Sequence, residues 1–361
     1  MTQREKEILT ILKSEPTISQ QDLADRLNIT RSSVAVHITN MLKKGYILGK
    51  GYIVQEDPYI VVIGGANIDI QGIPKDQLRL RDSNIGEVKI SLGGVGRNIA
   101  ENCARLQIPT RLITVIGDDL YGQKILKHAQ SIGLHMQDSL ILPNASTSTY
   151  LSILDQSRDL ALAINHMDCI EKLTVEEIKA RRSLIEHAQL CVIDANLSVD
   201  VLEYLLTAFP KTVFFCDPVS QAKASRLKPF LKSIHTLKPN HLEAAVLSEK
   251  QGSVELKTED LAEHLPCQRV FISQGSQGVV VKDGKKHYRF HAPPIDPVNT
   301  TGAGDAFMAG LVYAYMKGLD IQKTTHIAMA ASIVAISHED TINPNLNEQT
   351  LLEAAKEITH V

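Results

Sequence analysis

A turn of small residues that runs into a helix carries the first chemical signal in this sequence. Residues 299–307 read NTTGAGDAF and continue into the apolar stretch AFMAGLVYAYMKG. The first backbone N–H groups of a helix have no partner inside it, and they favour negative charge. Because Gly302, Ala303 and Gly304 carry almost no side chain, a phosphoryl group could approach those N–H groups closely. The stretch is typical of an anion site.

Asp305 adds a carboxylate to this anion site. A carboxylate repels phosphate, but it is suited to removing a proton from an alcohol that attacks phosphorus. The pair predicts phosphoryl transfer to a hydroxyl group. A second interpretation stays open from this stretch alone, in which Gly-Ala-Gly is a tight loop and Asp305 a helix-start residue favoured by the helix dipole.

Composition narrows the class of protein. The 361 residues, 43% hydrophobic and 22% charged, predict a globular protein with two domains or one large domain and a small one. The net charge of −3 gives no global reason to expect a polyanion partner, so any nucleic-acid contact must be local. The polar N-terminus is unlike a signal peptide, and the longest apolar run, residues 327–336, is too short to span a bilayer. Five widely spaced cysteines without a CxxC pair argue against disulfides and zinc, so we expect a cytoplasmic protein without a membrane partner.

Residues 1–57 predict three short amphipathic helices followed by a wing. Pro16, residues 28–30 and Gly45 are the breaks, and residues 46–56 read as two short strands about a Gly-Lys-Gly turn. The segment resembles a winged helix-turn-helix domain, whose third helix reads DNA. One face of that helix carries polar residues at spacings of three and four and is the candidate DNA-reading face: Ser33, His37, Asn40 and Lys44.

The charge of this segment is a weak argument for DNA binding. Eight Lys and Arg stand against seven Asp and Glu over residues 1–57. We favour DNA binding because basic residues cluster in the third helix and the wing while most acids lie earlier in the segment. The alternative is a small helical domain used for dimer contacts.

From Pro58 onward, short apolar strands alternate with amphipathic helices. The strands are predicted at residues 112–117, 190–196, 212–218 and 269–275. This pattern is typical of a doubly wound α/β domain spanning residues 58–361. Two regions of alternating residues, within about 70–92 and 146–166, predict a small β lid over the carboxyl ends of the main strands, where such folds bind ligands.

Together these pieces resemble the ribokinase-like carbohydrate kinase family, also called phosphofructokinase-B. SLGGVGRNIAEN at 91–102 resembles the first family signature, and NTTGAGDAF resembles the second. The resemblance implies a ribokinase-like α/β/α sandwich in which Asp305 is the catalytic base and residues 302–304 form the anion hole. It also implies a sugar site, with Asp69 accepting hydrogen bonds from ribose hydroxyls, made of Asn67, Asp69, Gly93, Gly94 and Asn98.

The same resemblance implies ATP and Mg²⁺ as cofactors. TLKPNHLEAAVL at 236–247 carries the family's NxxE, so Asn240 and Glu243 would act through water on Mg²⁺ and the phosphates. Without the family, Asn240 would be a turn residue and Glu243 a solvated helix position. The nucleotide-binding turn is matched within VFISQGSQGVVV by Ser273, Gly275 and Gly278.

Within the family the sequence is most similar to pseudouridine kinases, through segments such as GGANIDI, TSTYLSILD and INPNL. His166 departs from that branch, which tends to have Asp there, and an exposed histidine without a role is an equal interpretation. Asn299 replaces an acid that ligates a monovalent cation in many relatives, so dependence on K⁺ is not predicted.

We therefore expect an ATP- and Mg²⁺-dependent kinase that phosphorylates the 5′-hydroxyl of a ribosyl substrate, pseudouridine or a related nucleoside. The kinase would be fused to a DNA-binding domain, and we expect a homodimer because one weakly charged copy would bind DNA poorly. Two alternatives remain. One is a nucleoside- or sugar-sensing transcription regulator with vestigial kinase activity, and the other is a ribokinase-type sugar kinase.

Overall fold

The computed structural model describes residues 2–15, 18–47, 58–157, 159–249 and 257–358. The chain separates into two compact units, Met1–Asp57 and Pro58–Val361. Within the described ranges, no helix is both long enough and apolar enough to cross a membrane. All five cysteines are free and buried.

The first unit contains three helices, α1 (Gln3–Ser14), α2 (Gln20–Leu27) and α3 (Arg31–Lys43). Each begins after a hydroxyl residue whose side chain accepts a hydrogen bond from the backbone N–H three residues on: Thr2, Ser19 and Thr30. One residue of α1, two of α2 and three of α3 form its buried core: Ile8, Leu23, Ala24, Val34, Ile38 and Met41. Nearly all of the predicted wing falls in residues 48–57, outside the described residues.

An eight-stranded sheet forms the centre of the second unit. Its strands in spatial order are β14 (Lys286–Phe290), β13 (Val279–Asp283), β12 (Arg269–Ser273), β11 (Thr236–Leu237), β10 (Phe214–Asp217), β9 (Cys191–Asp194), β1 (Ile60–Ile63) and β4 (Thr110–Ile113). From β12 to β4 all neighbours are parallel, whereas β13 and β14 are antiparallel additions at one edge.

Helices cover this sheet on both faces. They are α4 (Val95–Arg105), α5 (Leu120–Ser131), α6 (Val175–Ala180), α7 (Arg182–Glu186), α8 (Val199–Ala208), α9 (Gln221–Ala224), α10 (His241–Leu247), α11 (Thr258–His264), α12 (Ala303–Met316), α13 (Ile321–Ile336) and α14 (Glu348–Ile358). Short 3₁₀ helices span Ile170–Lys172, Ser225–Ser233 and Gly275–Gln277. Successive residues of β1 enter opposite cores, Val62 with the core of α4 and α12 to α14, and Val61 with that of α8, α10 and α11. The predicted α/β/α sandwich is confirmed.

A predicted strand at residues 112–117 is divided in two. β4 ends at Ile113, and β5 (Val115–Gly117) instead pairs with β6 (Leu140–Leu142) in a separate two-stranded sheet. The division falls at Thr114, whose backbone N–H donates to Ser139 Oγ while its carbonyl accepts from the Leu140 N–H. Because those partners lie about 25 residues further on, the apolar run alone could not show the break.

A four-stranded sheet, the lid, stands apart from the main sheet. Its strands in order are β3 (Gly86–Gly93), β2 (Asn67–Pro74), β7 (Thr149–Leu154) and β8 (Leu160–His166). Residues paired directly across strands share a face. One face is apolar, with the pairs Ile90–Ile70–Leu151–Ile164 in one row and Val88, Ile153 and Leu162 in the next. The opposite face is polar, with Ser91, Asp69, Tyr150 and Asn165 in one row.

Candidate active site

Charged residues meet at the carboxyl ends of the parallel strands in the main sheet. Asp194 is the last residue of β9, Asp217 is the last residue of β10, and Lys238 directly follows β11. All three are buried. Sequence reasoning missed them. Asp194 and Asp217 lie at the ends of predicted apolar strands, and Lys238 follows the short strand β11 beside β10. The ends of parallel strands are where α/β sheets bind ligands.

The helix α12 begins beside these strand ends. Gly302 caps it in the left-handed region at φ 80°, and the carbonyl of Thr341 leaves no room for a side chain on it. Asp305 lies in the first turn of α12 and is 9% exposed. The predicted turn and carboxylate are therefore adjacent at a helix N-terminus, where backbone N–H groups favour an anion.

Asp305 occupies a strongly perturbing environment. The Nδ2 of Asn98 donates a hydrogen bond to its Oδ2 at 2.7 Å. Burial and the nearby charge of Asp217 raise the pKa of Asp305 to about 7, although the Asn98 hydrogen bond and the charge of Lys238 oppose the shift. A carboxylate that gains its charge near neutral pH has the basicity expected of a general base.

Lys238 supplies positive charge beside this helix start. Its Nζ lies 3.0 Å from Asp217 Oδ2 and would lie 2.7 Å from a β-carbon placed on Gly304. Burial alone would lower the pKa of Lys238, but the charges of Asp217, Asp305 and Glu243 raise it, so the side chain is an ammonium ion. The structure thus adds a cation to the anion site predicted from the glycine turn.

Of the five residues predicted to bind the sugar, four lie in or next to the lid strands β2 and β3, and the fifth contacts Asp305. Asn67 pairs with Gly93 across β2 and β3, and the Asn67 Nδ2 donates to Asp69 Oδ1 at 2.6 Å. A side chain on Gly93 would overlap the Asp69 carboxylate, and Gly94 follows with φ 96°. Burial raises the pKa of Asp69, opposed by the Asn67 hydrogen bond. Asn98, in contrast, directs its amide nitrogen at Asp305.

Asn240 and Glu243 form a reciprocal cap at the start of α10. The Glu243 N–H donates to Asn240 Oδ1, and the Asn240 N–H donates to a Glu243 carboxylate oxygen, both at 2.9 Å. Glu243 is buried, so the reading of it as a solvated helix position is wrong. Burial and the charge of Asp217 raise its pKa, although the Asn240 N–H opposes the shift.

These carboxylates fit a magnesium ion held mainly through water. Asp217 Oδ2 is buried and forms an ion pair with Lys238 at 3.0 Å, and a carboxylate oxygen with one such partner still has a lone pair for a further ligand. Among the described residues, no group of three or more His, Cys, Asp or Glu side chains could hold a metal by itself. Mg²⁺ usually keeps several waters and shares its remaining ligands with phosphates, which matches a site of this kind.

The predicted nucleotide turn borders a cavity of about 740 Å³. Ser273 ends β12, and Gly275 and Gly278 shape the turn into β13 with positive φ. One end of the cavity reaches Thr300, Ala303 and Gly304 at the start of α12. Its walls are largely apolar and include Val279, Phe307, Met329, Ile333 and Ile336. An apolar slot that opens onto a helix N-terminus suits a nucleotide, with the base in the slot and the phosphates at the helix.

Residues 57–348 match the family model described as pfkB family carbohydrate kinase. The chain belongs to this family. It is a phosphotransferase with an alcohol acceptor, and kinases of the family use ATP. Residues 1–47 match a winged helix-turn-helix DNA-binding model, which confirms the resemblance seen in the first 57 residues.

Two relatives from Escherichia coli cover most of the chain. An uncharacterized sugar kinase, YeiI, is 36% identical over 98% of both chains. A pseudouridine kinase is 37% identical over 81% of this chain and 95% of its own. Among solved structures, a carbohydrate kinase from Agrobacterium tumefaciens has a TM-score of 0.72 at 26% identity, covering 83% of this chain and 97% of its own. A ribokinase from Thermotoga maritima has a TM-score of 0.71, covering 84% and 100%, and at 19% identity it supports the fold alone.

His166, which departs from the pseudouridine kinase pattern, is exposed, and Asn299, which replaces an acid of many relatives, is half-buried. His166 ends β8, and its Nε2 is 3.8 Å from an Asp168 carboxylate oxygen. The Nδ2 of Asn299 donates to the Glu339 carbonyl, and its Oδ1 accepts from the Thr301 N–H. Asn299 therefore braces the loop before the glycine turn.

The predicted DNA-reading face of α3 is only partly exposed. Lys44 donates to both carboxylate oxygens of Glu5 on α1, His37 has a buried Nδ1 without a hydrogen bond, and Ser33 and Asn40 are half-buried. The exposed face of the helix lies one position earlier, at spacings of four, three and four: Ser32, Val36, Thr39 and Lys43. Periodicity identified the apolar side of α3, but the contact with α1 shows which flank is covered.

We expect kcat/KM to fall with decreasing pH below about 7, because Asp305 must be ionised to accept a proton and its pKa is raised to about 7. Asp305→Asn should lower kcat by about 10²–10⁴ and remove this limb from the pH profile.

The raised pKa of Asp305 also predicts a change in stability with pH. Because the folded protein holds the proton of Asp305 more tightly than an unfolded aspartate does, stability is lost as pH rises from about 4 towards 7. The Asn variant should therefore melt at a higher temperature than wild type at pH 8 but not at pH 4. A variant that keeps most of its kcat would remove Asp305 from the role of base.

Proposed function

We propose that the protein is an ATP- and Mg²⁺-dependent kinase that phosphorylates the 5′-hydroxyl of a ribosyl substrate, pseudouridine or a closely related nucleoside. The observation that carries this proposal is the buried Asp305 carboxylate in the first turn of α12, beside the glycine turn and the Lys238 ammonium. That arrangement combines a proton acceptor with a site for the charge that develops during phosphoryl transfer.

In this mechanism Asp305 accepts the proton of the attacking hydroxyl. The N–H groups at residues 302–304 and the Nζ of Lys238 share the negative charge on the transferred phosphoryl group. ATP would supply that group and leave as ADP. Glu243 and Asn240 would hold Mg²⁺ through water, with Asp217 nearby, and the bound ion would supply positive charge against the phosphates. Asn98 holds the base in place through its hydrogen bond to Asp305 Oδ2.

The ribosyl substrate would lie against the polar face of the lid. Asp69 projects from that face, and its row also holds Ser91, Tyr150 and Asn165, which offer both donors and acceptors. The pseudouridine kinase relative, 37% identical, supports a nucleoside over a free sugar. A coupled assay of ATP consumption over pseudouridine, uridine, inosine and ribose tests the substrate class, and turnover of ribose alone would favour a ribokinase-type enzyme.

A 2′-deoxy analogue should be a much poorer substrate than its ribo parent, because a site built to bond a hydroxyl leaves its own polar groups unpaired when that hydroxyl is missing. Discrimination by such sites reaches the order of 10⁴ in kcat/KM. Asp69→Asn should shrink the difference while leaving KM for ATP little changed. Equal turnover of the ribo and deoxy compounds by wild type would remove Asp69 from the role of hydroxyl acceptor.

We also propose that the lid's apolar face joins two copies of the chain. Leu162 and Val88 are 60% and 65% exposed, and Ile164 and Ile90 extend the same face over two rows. A contiguous apolar surface on a sheet is typical of an interaction site. A second copy would present the same face to it, as twofold symmetry requires.

Leu162→Glu should convert a dimer to a monomer in sedimentation experiments, because it places a charge on that apolar face. Leu352→Glu on α14 changes an equally apolar exposed side chain outside the lid and should leave the dimer intact. A monomeric wild type, or a dimeric Leu162→Glu protein, would contradict the assignment.

For residues 1–57 we propose duplex DNA as the partner, read by the exposed stripe of α3. The winged helix-turn-helix match and that exposed stripe support it. A transcription regulator whose kinase fold only senses nucleoside is the second candidate, and the same DNA-binding match favours it. The two differ in turnover, since a pure sensor has no use for the base Asp305.

In a selection from random duplex pools with the full-length protein, we expect an enriched sequence, because α3 offers base-reading side chains. Thr39→Ala, Lys43→Ala should abolish the enrichment, since both residues lie on the exposed stripe. Asn40→Ala, Lys44→Ala changes the half-buried Asn40 and the lysine that pairs with Glu5, and it should lower the melting temperature more than it changes the selected sequence. No enrichment by wild type would leave dimer contacts as the role of this unit.

A further inference from the structure

A buried arginine connects the base to the lid. Arg97 lies in the first turn of α4, and its guanidinium is almost fully buried. Its Nε donates to the Gly93 carbonyl at 3.0 Å, and its Nη2 donates to the Leu92 carbonyl at 3.1 Å. Both carbonyls belong to the end of the lid strand β3. The same Nη2 also donates to Asn98 Oδ1 at 2.5 Å.

The contact with Asn98 determines which way that carboxamide points. An arginine has donors and no acceptor, so the atom of Asn98 that faces it must be the oxygen. The nitrogen is then on the other side of the carboxamide, where it donates to Asp305 Oδ2 at 2.7 Å. If the amide turned over, its oxygen would face the carboxylate and the hydrogen bond would be replaced by repulsion.

Glu101, one helical turn further on α4, stabilises the buried guanidinium. Its Oε2 accepts from Arg97 Nη1 at 2.5 Å, while its Oε1 accepts from Arg105 and contacts His128 Nε2. Burial opposes ionisation, but the His128 contact and the charge of Arg97 hold the pKa of Glu101 at about 2. A buried arginine requires a nearby opposite charge that is itself fully hydrogen-bonded, and Glu101 supplies it.

We propose that Arg97 is a positioning residue of the kinase: it fixes the Asn98 carboxamide so that its nitrogen faces Asp305, and it ties this orientation to the lid strand that carries Gly93. The proposal rests on the proposed role of Asp305 as base. Sequence reasoning assigned Asn98 to the substrate and gave Arg97 no part, because the local sequence does not show which carbonyls its guanidinium reaches.

The proposal predicts two separable effects of changing Arg97. Arg97→Lys keeps the charge but offers one nitrogen in place of the guanidinium fork, so it should lower kcat by up to about 10² through misplacement of the base, with KM for ATP little changed. Arg97→Gln also removes the charge, and it should move the acid limb of the pH profile to higher pH. The other charges acting on Asp305 are unchanged in both variants: Asp194 on β9, Asp217 on β10 and Lys238 after β11. Asp69 on the lid, whose charge acts on Arg97, is unchanged as well.

Arg105→Gln is the matched control. Arg105 shares Glu101 with Arg97 and also donates to the Pro344 carbonyl, but it does not contact Asn98. Its loss should lower the melting temperature and leave kcat and the pH profile as in wild type. If Arg97 served stability alone, the Arg97→Lys and Arg105→Gln proteins would behave alike, and that result would overturn the proposal.

The kinetic test uses pseudouridine and ATP with the full-length protein. A second measurement needs no turnover: the ¹³C carboxyl signal of Asp305, assigned by its absence in Asp305→Asn, is titrated in wild type, Arg97→Gln and Arg105→Gln. We expect a higher midpoint in Arg97→Gln only. Equal midpoints in all three would refute the role of Arg97. If wild type phosphorylated no nucleoside but the midpoint of Arg97→Gln were still higher than that of wild type, the proposed function would be refuted and the role of Arg97 supported.

Discussion

Repulsion among buried carboxylates is the constraint on which this site depends. Asp194, Asp217 and Asp305 lie close enough for the first two to raise the pKa of the third. Each needs a compensating group. Asp194 accepts hydrogen bonds from the backbone N–H groups of Gly65 and Gly96, and Asp217 pairs with Lys238. Asp305 has the Asn98 hydrogen bond and shares the charge of Lys238, but these do not outweigh its burial and the repulsion, so its pKa stays near neutrality.

The hydrogen bonds that stabilise Asp194 also hold together the backbone segments around the site. Asp194 can approach the loop after β1 only because Gly64 has no side chain in the space that the carboxylate fills. Its bonds to Gly65 and Gly96 join that loop to the start of α4, and α4 carries Asn98 to the base. A strand end, a loop and a helix start are thus held together by one buried charge that performs no chemistry in the proposed mechanism.

How much of this could be predicted from sequence depended on the range of the interactions. The glycine turn and Asp305 were found because a helix N-terminus is local, and residues 299–307 contain all of it. Lys238 was missed because its relation to Gly304 depends on the order of the strands and spans 66 residues of sequence. Glu243 was misjudged as solvated without the family, since no local pattern shows what covers α10. On α3, the spacing of the apolar residues predicted the buried side of the helix. Which of its polar flanks is exposed depends on the contact of Lys44 with Glu5, 39 residues away in the sequence.

The lid places two different surfaces on the same few strands. Along β3, Ser91 belongs to the row of Asp69, whereas the next residue inward, Ile90, belongs to the apolar face. Side chains alternate strictly along a strand, so loss or gain of one residue within β3 would send every side chain beyond it to the opposite face. A change of two residues would preserve the faces. Variation in the length of β3 among related chains should therefore come in even steps, with odd steps confined to the adjoining loops or taken up by a bulge, as the register shift at Ile153 and Leu154 between β7 and β8 illustrates.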